Sequence, residues 1–236
     1  MPRPLTLIGV FVISLLVFGL WQLPAQPFVR HLDGLVLGGA PLQVSGIRGR
    51  VWQGEARWRW QTYRGDVRWE TRWRGLLPGV QLDLAGGGVE LDGWIGGTPR
   101  AATVRQLNLR LPLAEISRDM PEGRADGVVT GQVAMLRLAR NGEVSVEGNL
   151  RYGGGQVTWP PDGNARVPPL EGRLFTEQNV ARLEITDPNG TRLVDGDVAA
   201  GEASLRVYRA WPRLLGVSQG GSDDDVVFQV SQAITN

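Results

Sequence analysis

Tryptophan and arginine alternate in one stretch of the chain. The stretch starts at Gly49, ends at Gly75 and reads GRVWQGEARWRWQTYRGDVRWETRWRG. Such side chains suit a single-stranded nucleic acid, whose bases stack on aromatic rings while cations pair with its phosphates. They also suit a sugar- or lipid-contacting aromatic face, or a strand pair in a sheet. The direction in which the backbone points each side chain decides between these chemistries.

The alternation has a period of two residues, which is typical of half-buried strands. The turn of an antiparallel hairpin is predicted at residues 63–66, YRGD. One face is predicted to pack the tryptophans Trp58, Trp60, Trp69 and Trp73. The other face is predicted to be exposed to solvent and to form a candidate partner surface of Arg57, Arg59, Arg68 and Arg72. Opposite faces argue against nucleic acid, which needs both residue types on one face. An aromatic face that contacts glycan or lipid remains an alternative to packing.

Catalytic chemistry has few candidates in this chain. Cysteine and lysine are absent, which excludes thiol catalysis, cysteine-bound zinc, Schiff bases and P-loops. His31 is the only histidine and lies eight residues after Leu23, the end of an apolar run, so a solvated or interfacial role is favoured over catalysis. Residues 222–225, SDDD, lack the spaced bidentate acid of a calcium loop and indicate a solvated loop. We therefore predict a protein that is not an enzyme, without catalytic, cofactor-binding or metal-binding residues. The formal net charge of +1 also argues against a nucleic-acid partner.

An uncharged apolar run lies near the N-terminus. It starts at Leu5, ends at Leu23 and reads LTLIGVFVISLLVFGLWQL. A helix of this length reaches about 30 Å, the thickness of a bilayer core. Arg3 precedes the run, which predicts that the short N-terminal end stays in the cytoplasm.

A cleaved signal peptide is the alternative interpretation of this run. Cleavage would follow Ala25, but Leu23 at the −3 position and the neighbouring prolines make that site poor. We predict that residues 1–25 form a cytoplasmic end and a retained transmembrane anchor in the cell inner membrane. Residues 26–236 are then predicted to lie in the periplasm.

The remainder of the chain continues the period of two. Short alternating apolar runs are separated by glycines, and Asn141-Gly142 is a typical hairpin turn. No segment after the anchor has a long helical period, and residues 112–123 allow one helical turn at most. The predicted fold is all-β, with curved, mostly antiparallel sheets. A faint internal repeat predicts two similar β units, residues 40–118 and 124–215.

Several motifs resemble the type II secretion system protein N family. Leu-Pro-Ala follows the apolar run, as in that family. It precedes a Gly-x-x-Trp-x-Gly-x-Ala element formed by Gly49, Trp52, Gly54 and Ala56. Further similar elements are LRLPL at residues 109–113 and PPLEGRL at residues 168–174. The resemblance covers most of residues 20–215, although Arg50 stands where a small polar residue is more usual.

The resemblance implies a non-catalytic, single-pass inner-membrane subunit that assists assembly of the type II secretion apparatus. Its partners would be other subunits, in the inner-membrane platform or the secretin, and no cofactor is expected. Exposed strand edges offer one way to bind them, by β-augmentation. The family also resembles periplasmic curved-sheet proteins that handle lipid. A lipid-handling module anchored in the inner membrane is therefore the alternative function.

Overall fold

A computed structural model describes residues 24–26, 34, 36–37, 40–60, 63–118, 123–199, 202–217 and 220–233. These residues form mostly antiparallel strands in open sheets, with two short helices, which confirms the predicted all-β class. No helix among the described residues has both the length and the apolar character needed to cross a bilayer. The predicted anchor at residues 5–23 lies outside the described residues.

The chain divides into two compact units, the first ending at Thr71 and the second starting at Arg72. The proposed repeat of residues 40–118 and 124–215 stays a prediction. The described strands of unit 1 are β1 (Val36–Leu37), β2 (Ala40–Arg50), β3 (Gln53–Trp60) and β4 (Tyr63–Thr71). They pair antiparallel in sequence order.

Unit 2 contains the remaining described elements. They are β5 (Gly79–Gly86), β6 (Val89–Thr98), β7 (Ala101–Pro112), α1 (Leu113–Ile116), β8 (Arg124–Ala125), β9 (Val128–Ala139), β10 (Val144–Tyr152), β11 (Gly155–Trp159), β12 (Gly163–Val167), β13 (Leu170–Glu177), β14 (Val180–Thr186), β15 (Arg192–Ala199), β16 (Glu202–Tyr208), α2 (Ala210–Leu214) and β17 (Val226–Ala233). Its main sheet has the order β5-β6-β7-β9-β10-β13-β14-β15-β16-β17, and a small sheet has the order β12-β11-β8.

Two local predictions about turns and helices are confirmed. The single helical turn predicted within residues 112–123 is α1. Asn141 and Gly142 connect β9 to β10, and the backbone N–H of Gly142 donates to the carbonyl of Ala139 over 3.0 Å. Gly142 has a φ of 86°, which an L side chain rarely adopts.

The predicted turn at residues 63–66 is wrong. Tyr63 already pairs with Trp60, so the YRGD sequence lies within β4 and pairs with β3. The two-residue period continues through Gly65-Asp66, and continued pairing with β3 outweighs the local turn tendency of these residues.

The core of unit 2 lies where the main sheet meets the small sheet and α2. Its buried side chains are Val167, Leu170, Leu193 and Ala210. Trp211 of α2 packs against this cluster. A second buried centre is Trp94, whose exposed fraction is 0%.

Candidate functional site

The tryptophan-arginine stretch of unit 1 forms two chemically different faces. The register of β3 with β4 places Trp58, Trp60, Tyr63 and Trp69 on one side of the hairpin, here called the tryptophan face. These four side chains are half-buried, and Ala56 between them is 2% exposed. The Trp60 and Tyr63 rings stack with centroids 6.0 Å apart. The predicted separation of tryptophan from arginine is confirmed.

Trp73 corrects the expectation of four packed tryptophans. β4 ends at Thr71, so Trp73 belongs to unit 2 and lies outside the hairpin. Its side chain is 67% exposed. The period of two residues continues in the sequence past the point where the strand stops, and sequence parity alone therefore misplaces this residue.

The family-like glycines build the turn between β2 and β3. Gly49 pairs with Gly54. A Cβ added at Gly49 would lie 2.5 Å from the carbonyl oxygen of Gln53, so a side chain there would collide with backbone. The indole N–H of Trp69 donates to the carbonyl oxygens of Arg50 and Val51, over 3.2 Å each. Trp52 also lies in this turn, and its carbonyl accepts the N–H of Thr71.

The segment after the predicted anchor is joined to the same turn. The backbone N–H of Ala25 donates to the carbonyl of Gly49 over 3.3 Å, and Pro24 forms an antiparallel bridge with Arg50. Ala25 is 1% exposed. Two motifs that are separate in the sequence, Leu-Pro-Ala and Gly-x-x-Trp-x-Gly-x-Ala, therefore meet in unit 1.

The opposite side of the hairpin, here called the arginine face, carries exposed cationic side chains. Its arginines are Arg48, Arg50, Arg57, Arg59, Arg64 and Arg68, and its carboxylates are Glu55, Asp66 and Glu70. Cations outnumber anions, so the face is positive. The ion pair between Arg48 and Glu55 on this face is long at 3.9 Å and exposed, which makes it weak. Arg59 donates from Nε to Oε1 of Gln43 over 3.0 Å.

The structure brings together only three of the four arginines predicted as a partner surface. Arg57, Arg59 and Arg68 share the arginine face of unit 1. Arg72 is also exposed but lies in unit 2. Its carbonyl accepts the indole N–H of Trp94 over 2.9 Å.

Trp94 is a structural centre that the sequence pattern did not single out. Cβ atoms added at Gly79 and Gly96 would lie 2.3 and 2.4 Å from its ring. The guanidinium of Arg74 lies 5.6 Å from the ring centroid. The sequence signal for this packing is Gly96, which follows Trp94 by two residues on the same strand. Gly79 reaches the same ring only through the register of β5 with β6.

A polar cavity of about 590 Å³ lies on one face of the unit 2 sheet. Its lining includes a row of residues that pair across successive strands: Asp92, Asn108, Gln132, Asn149 and Arg173. Nδ2 of Asn108 donates to Oδ2 of Asp92 over 3.1 Å. Sequence analysis missed this row because its members are distant in the chain and only the register aligns them.

Two weak sequence candidates have different outcomes. His31 lies outside the described residues. The SDDD segment is more than a solvated loop: Asp225 pairs with Arg209 over 3.0 Å, and Asp223 pairs with Arg213. The described residues contain no acid or histidine group with the arrangement of a metal site.

Comparison with known proteins gives one family. The model of the family described as type II secretion system (T2SS), protein N, matches residues 40–218. The match includes the β2–β3 turn, both faces of the hairpin and most of unit 2. No curated protein and no solved structure matches the chain. Since the matched residues cover well over half of the sequence, the chain belongs to the type II secretion system protein N family.

Proposed function

We propose that the protein is a non-catalytic accessory subunit of the type II secretion system that acts in the periplasm by protein–protein contact. The observation that carries this proposal is the family match over residues 40–218, since family members are secretion-system components. In the proposal, residues 5–23 anchor the chain once in the inner membrane. The partners are subunits of the inner-membrane platform or the secretin.

The docked Ala25 supports a retained anchor. Cleavage after Ala25 would remove the N–H that donates to Gly49 and the bridge of Pro24 with Arg50. The alternative of a cleaved signal peptide would thus separate a buried residue from the unit that buries it. N-terminal sequencing of the mature protein tests this step, and a sequence that starts at Gln26 would contradict it. A reporter fused after residue 236 should be active only outside the cytoplasm.

The arginine face is the proposed partner surface in unit 1. Arg57, Arg59 and Arg68 are exposed, so a second protein can reach their guanidinium groups, and that of Arg59 is held in place by its hydrogen bonds to Gln43. An excess of cations is complementary to an acidic surface, which accelerates association and selects the partner. Side chains at such a surface contribute little to folding, and their loss is therefore expected to affect contact rather than stability.

The test is a charge-reversed double variant, Arg57→Glu with Arg59→Glu, in cells that lack the wild-type gene. We expect the variant protein to accumulate normally and to leave the secreted cargo in the periplasm. The matched control reverses two exposed arginines of unit 2, Arg137→Glu with Arg140→Glu, and should leave secretion intact. Normal secretion by the first variant would rule out the arginine face as the contact surface.

The alternative of a lipid-handling module has less support from the cavities. The cavity on the unit 2 sheet is lined by a row of amide and charged side chains beside the apolar Leu107, Val133 and Phe175, whereas an acyl chain prefers a predominantly apolar lining. Mass spectrometry of lipid co-purified with the wild-type chain tests the alternative. Stoichiometric bound lipid that is lost in Trp58→Ala, with an unchanged melting temperature, would favour lipid handling over the scaffold role.

A further inference from the structure

Strand β17 lies at one end of the main sheet of unit 2. Among the described strands it pairs only with β16, so its outer backbone N–H and C=O groups face away from the sheet. All eight of its residues are exposed. Phe228 and Val230 are 56% and 46% exposed, although their partners on β16 belong to the apolar face of the sheet.

This edge has little of the usual protection against pairing. Natural edge strands carry charged residues or proline, are very short, or are interrupted by bulges. The β17 sequence, VVFQVSQA, has no charge and no proline. Its register shifts once, near Val227, and the strand then pairs regularly from Phe228 onward. An uncharged, regular and apolar edge is suited to accept another strand.

We propose that the occupant of this edge is β17 of a second copy of the chain, which makes the protein a two-fold dimer. A two-fold axis perpendicular to the sheet and centred on Gln229 pairs the strand with itself in antiparallel orientation. Phe228 then lies opposite Val230 of the second copy, and the same pair forms again across the axis. Aromatic and β-branched residues are favourable neighbours when directly opposite.

The polar face of the strand is equally compatible with this register. Gln229 lies opposite its own copy, and an amide both donates and accepts hydrogen bonds. A charged residue on the axis would oppose an equal charge, and the sequence has none there. Two of the three acids before the strand are paired within the chain, Asp225 with Arg209 and Asp223 with Arg213, and the third, Asp224, is exposed. The two paired acids therefore add little repulsion between two copies.

A single strand pair is narrow compared with the roughly 1,600 Å² of a standard stable interface. We therefore expect a reversible dimer that dissociates on dilution. This inference goes beyond the proposed accessory function and does not depend on it, since it concerns contact between identical chains.

Engineered cysteines test the register without background, because the chain contains no cysteine. In Gln229→Cys the two Cβ atoms would lie about 4.5–5.5 Å apart across the axis, close to disulfide reach. The matched control, Ser231→Cys, is exposed and points to the same face. Its two copies would be offset by four residues, about 14 Å along the strand, which is too far for a disulfide.

The measurement uses the purified full chain in detergent, oxidised with copper phenanthroline at several protein concentrations. We expect a disulfide-linked dimer to form at least tenfold faster in Gln229→Cys than in Ser231→Cys. Equal rates, or a faster control, would overturn the proposed register.

Charge variants provide a second readout in the uncrosslinked chain. Gln229→Glu and Gln229→Arg should each reduce self-association measured by light scattering. Mixing them should restore a dimer containing one copy of each. A wild-type chain that stays monomeric at all concentrations, or a Gln229→Cys crosslink in cells that joins only a different protein, would overturn the proposal.

Discussion

The indole ring of Trp69 occupies the space beside Gly54 that a side chain would need. The two residues pair directly between β3 and β4. A Cβ added at Gly54 would lie 2.4 Å from Cζ2 of Trp69 and 2.5 Å from the carbonyl oxygen of Arg48. The family-like glycine and the tryptophan therefore form one packing unit in which the glycine permits the ring to reach the turn.

Gly54→Ala should destabilise the protein by about 1–3 kcal/mol, because the added methyl group forces the ring or the backbone to move. Urea denaturation followed by tryptophan fluorescence measures the change. The control is Gly153→Ala, where the nearest atom would lie at an ordinary 3.6 Å. We expect it to change the free energy of unfolding by less than about 0.5 kcal/mol. Equal effects would contradict the close contact.

Trp60→Ala and Trp73→Ala should differ strongly. Trp60 is half-buried and stacked on Tyr63, so truncation should cost roughly 2–4 kcal/mol. Trp73 is 67% exposed, and its truncation should cost less than about 1 kcal/mol. Thermal unfolding of the two variants measures this difference. A large loss of stability in Trp73→Ala would support the sequence-based expectation that Trp73 is packed.

Trp94→Ala should be among the most destabilising substitutions, at about 3–5 kcal/mol, since the ring is fully buried and packs against Gly79 and Gly96. Trp94→Phe keeps an aromatic ring but loses the N–H that donates to the carbonyl of Arg72. It should be less destabilising than Trp94→Ala but still measurable. The denaturant midpoints of wild type, Trp94→Phe and Trp94→Ala give their order of stability. A Trp94→Phe variant as stable as wild type would show that the hydrogen bond does not contribute measurably to stability.

Asp187 should make stability depend on acidic pH. Partial burial acts to raise its pKa, but hydrogen bonds from the backbone N–H groups of Thr191 and Asn189 outweigh it and lower the pKa. The folded state thus favours the carboxylate. This stabilisation is present above the unfolded pKa, near 4, and disappears as pH falls through the lower folded value.

The substitution Asp187→Asn should therefore reduce the free energy of unfolding at neutral pH. This difference from wild type should disappear as the pH falls below about 4. Denaturation from pH 7 to pH 2 measures the difference. Asp224→Asn, at an exposed position, corrects for the change in net charge. A difference between wild type and Asp187→Asn that is constant over the whole range would contradict the prediction.

Arg57→Ala and Arg59→Ala should each reduce the free energy of unfolding by less than about 1 kcal/mol, because both guanidinium groups are exposed. Thermal unfolding in low and high salt measures this. A larger loss of stability would show that these side chains stabilise the fold of unit 1, and it would weaken their assignment as a partner surface.

The period of two residues determined the strand class and the separation of Trp58 from Arg57. Side chains on a strand alternate between its faces, and this local geometry is written directly in the order of residues. The Asn141-Gly142 turn was also predictable, since its backbone conformation depends on the residues within it. The family-like spacing of Gly49, Trp52 and Gly54 was equally visible in the sequence.

Register and strand ends were decided only by tertiary structure. β4 stops at Thr71, so Trp73 is exposed although its parity matches Trp69. Trp94, Gly79 and the polar row from Asp92 to Arg173 acquire their neighbours through pairing with other strands. Such pairing depends on which strands meet and in what alignment, and residues distant in the sequence carry no local signal of it.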